Sequence, residues 1–236
     1  MKRNLLIGFA AILAASIFSS CSHNKDSYRS YREAIVTVKP LENGSYYMQL
    51  TDNEALCPEG YLQSPFKDKE VRAYTIYSYT GLTDPDYGKV VTIERLDSIR
   101  TKDPVAYNGE TEEELAELYG NDPVEIMNDW ITGVEDGYLT LNIFTHWSWS
   151  GLVQHSINLV TGMNPDNPYE VRLMHDANND LSQREGYSMV AFRLGSLPDT
   201  NGETVKLTLK WQAFGQEKST TFDYRTRPGA RLLAIE

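Results

Sequence analysis

The sequence predicts an all-β chain: a small OB-like barrel followed by an immunoglobulin-like β-sandwich, with one short helix in the linker between them. Three observations carry this expectation. Short alternating runs of β-branched and aromatic residues recur through the chain, Gly, Asn, Asp and Pro clusters punctuate them, and residues 111–119 form the one convincing helical stretch.

In the N-terminal half, residues 34–38 and 46–50 flank Asn43-Gly44, a hairpin turn signal. Residues 71–79 alternate, with Val71, Ala73, Thr75 and Tyr77 on one face, and residues 90–99 follow the turn at Asp84-Pro85-Asp86-Tyr87-Gly88. Four or five short antiparallel strands would expose pairing edges unless the sheet closes, so residues 33–102 are assigned to a Greek-key barrel of OB type. Residues 103–123 form the linker. Its helix starts at Thr111, has Glu112-Glu113-Glu114 in the first turn, places Leu115 and Leu118 on one face and ends at Gly120.

From residue 124 to 236 the pattern is that of a sandwich. Strands are expected at 124–133, 138–146, 153–160, 169–175, 187–194, 204–213 and 218–224, with Trp130, Trp211 and Phe222 as core anchors.

The first twenty residues read as a signal peptide. Lys2 and Arg3 precede an apolar run from Leu5 to Phe18, too short to span a bilayer, and Ser19-Ser20-Cys21 closes it. Small residues before Cys21, with bulky Phe18 at the third position back, make Cys21 the expected lipidation site. Residues 21–32 are then a lipidated tether. Several acyl chains at about 0.8 kcal/mol per buried CH₂ would hold the protein on a membrane permanently. The expected location is the cell envelope, at the outer membrane, facing either the periplasm or the surface.

Removing twenty of 236 residues leaves 216, and losing Lys2 and Arg3 moves the net charge from −11 to −13. So acidic a chain with no basic stripe is a poor partner for nucleic acid. Only Cys57 remains after cleavage at Cys21, so no internal disulfide is expected, and Cys57 reads as a small buried hydrophobe.

No catalytic template is satisfied. Gly-x-Ser-x-Gly, His-Glu-x-x-His and a phosphate-cradling glycine loop are all missing from the sequence, and Ser64-Pro65-Phe66-Lys67 matches Ser-x-x-Lys only in letters. The expectation is a non-enzymatic protein without cofactor or metal. Two polar clusters stand out as candidate ligand-binding residues. His146, Trp147 and Trp149 lie at a strand end, where aromatic pairs can stack on sugars or grip peptides, and His155 could meet His146 across the hairpin. His175 opens the run His175-Asp176-Ala177-Asn178-Asn179-Asp180, in which Asp176, Asn178 and Asp180 have the spacing of a calcium loop. Leu181 and Tyr187 then stand where that loop needs Gly and Glu, and the run reads as an inter-strand loop.

Several segments resemble the NigD-like lipoproteins of Bacteroidetes: Thr101-Lys102-Asp103, Gly120-Asn121-Asp122-Pro123-Val124, Ile157-Asn158-Leu159-Val160 and the run from Arg172 to Asp180. The resemblance spans nearly the whole chain and implies an N-terminal OB-like domain and a C-terminal β-sandwich. Asp176 departs from it, since the family pattern would place Asn there. The family carries no assigned catalytic residues. Its name comes from a gene in a bacteriocin locus, which makes an immunity or export accessory role an alternative by analogy. A second alternative is an enzyme whose site the templates miss. The expected partners are the membrane, through the lipid, and an envelope protein, peptide or glycan.

Overall fold

The structure, a computed structural model, describes residues 30–60, 62–148, 153–180 and 184–227. Cys21 lies outside them, as does Trp149. Five strands form the N-terminal barrel: β1 (Arg32–Pro40), β2 (Tyr46–Gln49), β3 (Ala55–Pro58), β4 (Val71–Asp84) and β5 (Gly88–Ser98). The sheet closes in the order β1-β2-β3-β5-β4, with β4 returning to β1, so no edge is left open. All pairs are antiparallel except β3 with β5. Asn43-Gly44 makes the expected turn: Gly44 has φ +84°, and the Asn43 side chain accepts from the Ser45 backbone. Val36, Val38, Met48, Ala73 and Val91 fill the interior. Cys57 is buried, and burial pushes its thiol pKa up, which suits a packing role.

The chain enters the sandwich before the helix. Strands β6 (Arg100–Lys102) and β7 (Val105–Ala106) each add to a different sandwich sheet, pairing in parallel with residues 190–192 and 160–161. Helix α1 (Glu112–Tyr119) carries a full capping box, Thr111 accepting from Glu114 N while the Glu114 carboxylate accepts from Thr111 N. Leu115 is buried against Val160 and Met174, but Leu118 is 59% exposed. The expected two-leucine face is therefore a single anchor, because the helix lies over the outside of a sheet and touches it along one line only.

Then come β8 (Glu125–Ile126), β9 (Gly133–Glu135), β10 (Tyr138–His146), β11 (Ser156–Thr161), β12 (Glu170–Asp176), β13 (Glu185–Arg193), β14 (Val205–Gln212) and β15 (Glu217–Tyr224). One sheet runs β6-β13-β10-β8, with β9 also on β10; the other runs β15-β14-β12-β11-β7. Leu139, Leu141, Leu159, Leu173, Phe192 and Leu207 pack between them. Trp211 is buried there as expected, and Phe222 packs on the same core half-buried. The expected strand 124–133 is instead two fragments separated by a turn that the Asp129 carboxylate holds by accepting from Ile131 N and Thr132 N. Trp130 sits on that turn, 56% exposed and tilted against Tyr74 of the barrel, so it is not a core anchor.

Barrel and sandwich are joined by a polar seam. Arg72 on β4 is buried and donates to Thr37 Oγ1 (3.0 Å) and across the seam to Thr140 Oγ1 (3.1 Å), with its guanidinium over the Tyr138 ring. Burial without a bonded carboxylate pulls its pKa down to about 10. Around it, Lys39 pairs with Asp136 at 2.8 Å, and Glu70 accepts from both Tyr138 and Arg227 at 2.7 Å. Ile35, Ile99, Tyr138 and Ala191 form a small apolar cluster in the same seam.

Candidate functional site

Strand alternation sorts the candidate residues onto two faces of one sheet. Along β10, Leu141, Ile143 and Thr145 point into the sandwich, so Phe144 and His146 point out. Tyr187 sits directly opposite Phe144 on β13 and is 64% exposed. Phe214, between β14 and β15, reaches the same place from the other sheet and is 38% exposed. The ring centroids lie 5.2 Å apart for Phe144 and Tyr187, 6.3 Å for Phe144 and Phe214, and 5.2 Å for His146 and Phe214. Four rings therefore make one outward aromatic face at an end of the sandwich. Phe144 and His146 belong to the run at the end of the strand, whereas Tyr187 and Phe214 stand 43 and 70 positions after Phe144 with nothing local in the sequence to link them.

Trp147 turns the other way. It packs against the sandwich core, donates Nε1–H to Gly186 O at 2.9 Å and stacks on His155, centroids 4.3 Å apart at 25°. Gly186 is required here: a Cβ at that position would lie 2.3 Å from the Trp147 ring.

His146 and His155 do not meet. His155, just before β11, instead bonds His175 on β12, Nδ1 to Nε2 at 2.9 Å, and both rings are buried. The other His155 nitrogen faces Asp180 Oδ2 at 3.2 Å, and the other His175 nitrogen faces the Asp122 carbonyl at 3.3 Å. All four ring nitrogens are thus engaged. Burial, and then the neighbouring His155, lower the pKa of His175.

The loop after β12 is tied by the same groups. Asp180 Oδ2 accepts from Ser148 N at 2.5 Å, Asp122 Oδ2 from Ala177 N at 2.8 Å, and Asn178 Nδ2 donates to Gln154 O. Asp176 Oδ1 accepts from Asn178 N, as in an Asx turn. Asp176, Asn178 and Asp180 thus point to separate places rather than around one point. Among the described residues no group of three or more His, Cys, Asp or Glu is placed to hold a metal ion.

Elsewhere, the seam between barrel and sandwich opens into a cavity of about 620 Å³ lined in part by Glu70, Tyr138, Arg193 and Arg227. All four are committed: Arg227 and Tyr138 bond Glu70, and Arg193 pairs with Asp103. Among the described residues no helix is long and apolar enough to cross a membrane.

Known proteins account for the architecture. No curated protein sequence matches the chain. A crystal structure from Parabacteroides distasonis, provisionally described as a toxin-related protein, is 30% identical, with a TM-score of 0.68 over 84% of this chain and 94% of that one. A NigD-like immunity protein from Bacteroides caccae is 20% identical, with a TM-score of 0.58 over 84% and 99%. A Bacteroides fragilis protein, provisionally described as a lipoprotein, is 13% identical, with a TM-score of 0.58 over 84% and 100%. The family model of the NigD-like N-terminal OB domain matches residues 35–99, and that of the NigD-like C-terminal β-sandwich domain matches residues 107–224. The barrel and sandwich built above are these two domains, and the chain belongs to the NigD-like family.

Proposed function

We propose that this protein is a lipid-anchored envelope protein that binds a partner macromolecule through the outer aromatic face of its sandwich, without catalysis. The observation that carries the reading is the cluster of Phe144, His146, Tyr187 and Phe214, in which Phe144 touches the other three rings and Tyr187 is 64% exposed. Aromatic side chains grouped at the end of a sheet supply contact area at low entropic cost. The rings are inclined to one another by 52–61° along the Tyr187–Phe144–Phe214 path, which favours an irregular protein or peptide surface over the flat stacking of a glycan. The non-catalytic part rests on the histidines: every ring nitrogen of His155 and His175 is bonded within the fold, so neither ring offers a base to a substrate.

Anchoring rests on the signal-like segment ending at Cys21, with the outer membrane as the proposed location. A narrower version, an immunity or export accessory role, rests on the family's name, and the Bacteroides caccae neighbour is described as a NigD-like immunity protein.

The test is made in cells. A photo-reactive phenylalanine at position 187 should give one discrete cross-linked adduct in the membrane fraction, and Cys21→Ser should move protein and adduct out of that fraction. Membrane association unchanged in Cys21→Ser contradicts the anchor; no adduct from position 187 contradicts the binding face.

A further inference from the structure

We propose that Asp180, His155 and His175 form a buried proton-binding site, holding one proton more than two neutral imidazoles carry, and that this proton fastens the loop after β12 to the segment preceding β11. The inference goes beyond partner binding and does not depend on it. It follows from counting hydrogens along a chain of three contacts: Asp180 Oδ2 to His155 Nε2, His155 Nδ1 to His175 Nε2, and His175 Nδ1 to the Asp122 carbonyl.

A carbonyl oxygen cannot donate, so the hydrogen of the last contact sits on His175 Nδ1. In a neutral ring His175 Nε2 is then bare, and the hydrogen of the middle contact must come from His155 Nδ1. That uses the single hydrogen of a neutral His155 and leaves its Nε2 bare against a carboxylate. Two acceptors would face each other at 3.2 Å in a site from which the His155 side chain is fully excluded from solvent. One further proton removes the conflict. Asp180 Oδ2 already accepts the Ser148 amide at 2.5 Å, as an ionised carboxylate does, so the proton rests on His155, which becomes an imidazolium.

A second observation points the same way. The face of Trp147 lies against the His155 ring at 4.3 Å and 25°, the arrangement that stabilises a cation over an indole. Asp122 and Asp176 flank the pair: the Asp122 carboxylate is taken up by Ala177 N and that of Asp176 by Asn178 N. The other charged side chains of β12, Glu170 and Arg172, pair with Lys210 and with Glu112 and Glu217, away from the rings. Asp180 is the counter-ion in direct contact with a ring nitrogen.

The proton count is filled on both sides. Losing the proton leaves two acceptors opposed, and adding another places two hydrogens in the His155–His175 contact. Either change weakens the tie between the segment holding Ser148, Gln154 and His155 and the loop holding Asp176 to Asp180. Trp147 and Gly186 belong to the same end of the sheet as the aromatic face, so the proton also sets how firmly that end is held.

The experiment is a long-range ¹H–¹⁵N spectrum of full-length protein in detergent, labelled only at histidine. The chain has four histidines, so His155→Gln and His175→Gln suffice for assignment. At pH 7 His155 is expected to show protons on both ring nitrogens and His175 one, on Nδ1. A bare nitrogen on His155 at pH 7 overturns the proposal. As alkali removes the proton, the amide protection factors of Ser148 and Ala177 should fall at least tenfold in step with it; constant protection through that titration also overturns it. In Asp180→Asn the side-chain amide can itself donate to His155 Nε2, so His155 should be neutral at pH 7. An imidazolium retained in that variant counts against the assignment. Should Asp180→Asn fail to fold, the wild-type spectrum alone decides.

Discussion

Replacing Gly120 with Ala should destabilise the protein by about 3–5 kcal/mol, a large share of the roughly 5–15 kcal/mol that holds a domain folded. Gly120 closes α1 with φ +79° and ψ 163°, a backbone region open essentially to glycine alone. A Cβ there would also lie 2.4 Å from Asp176 Cα and from the His175 carbonyl oxygen. Neither can yield, because β12 is paired on both sides, with β11 and β14. The His175 carbonyl additionally accepts from Asp122 N at 2.8 Å, and the Asp122 carbonyl faces His175. The damage therefore reaches the histidine pair. Gly162→Ala is the matched control: its φ is +82°, but a Cβ there meets nothing within 4 Å, so only backbone strain of about 1–3 kcal/mol is expected. Urea unfolding at pH 7 compares the two. Equal losses would mean that the close approach of Gly120 to β12 contributes nothing.

Arg72 should give the second large effect, and its size should depend on the replacement. Arg72→Ala removes a buried side chain at the seam and opens a cavity, at an expected cost of about 3–5 kcal/mol. Arg72→Met keeps most of the volume and discards a charge that burial already penalises, as the pKa lowered to about 10 records. Its cost should stay below about 1.5 kcal/mol. The Thr37 and Thr140 hydroxyls lose a donor in both variants, so the difference between them isolates packing from hydrogen bonding. If Met costs as much as Ala in urea unfolding, the guanidinium bonds hold the two domains together and filling the space does not.

Arg72 also shows where reading the sequence stops. On β4 the alternation of Ala73, Thr75 and Tyr77 marks the barrel interior, which leaves Arg72 on the opposite face. The sandwich covers that face, and nothing local in the sequence says so. Where turn residues bound a strand its extent is visible: Glu135-Asp136-Gly137 precedes the run 138–146, which forms β10, Tyr138–His146. The helix was equally legible, since Thr111 and Glu114 cap it from within four residues. Strands β6 to β9, each two or three residues long, are too short to show any period. The polar pair was half visible. His155 and His175 were singled out one by one, but only the antiparallel register of β11 on β12, with Ile157 opposite His175, brings them together. Trp147 and His146 were grouped as neighbours, yet adjacent residues on a strand face opposite ways, and that separates the buried stack from the exposed face.

The most direct measurement of the central claim is capture of envelope partners by the wild-type protein, by Phe144→Ser/Tyr187→Ser and by Lys206→Ser/Asp223→Ser. The last pair removes an exposed ion pair on the β14–β15 hairpin and serves as the surface control. With all three melting within a few degrees of one another, the aromatic variant should lose at least nine-tenths of the captured partner and the control should lose none. Equal capture by the wild type and the aromatic variant would contradict the account and leave the outer face of β10 and β13 without a role.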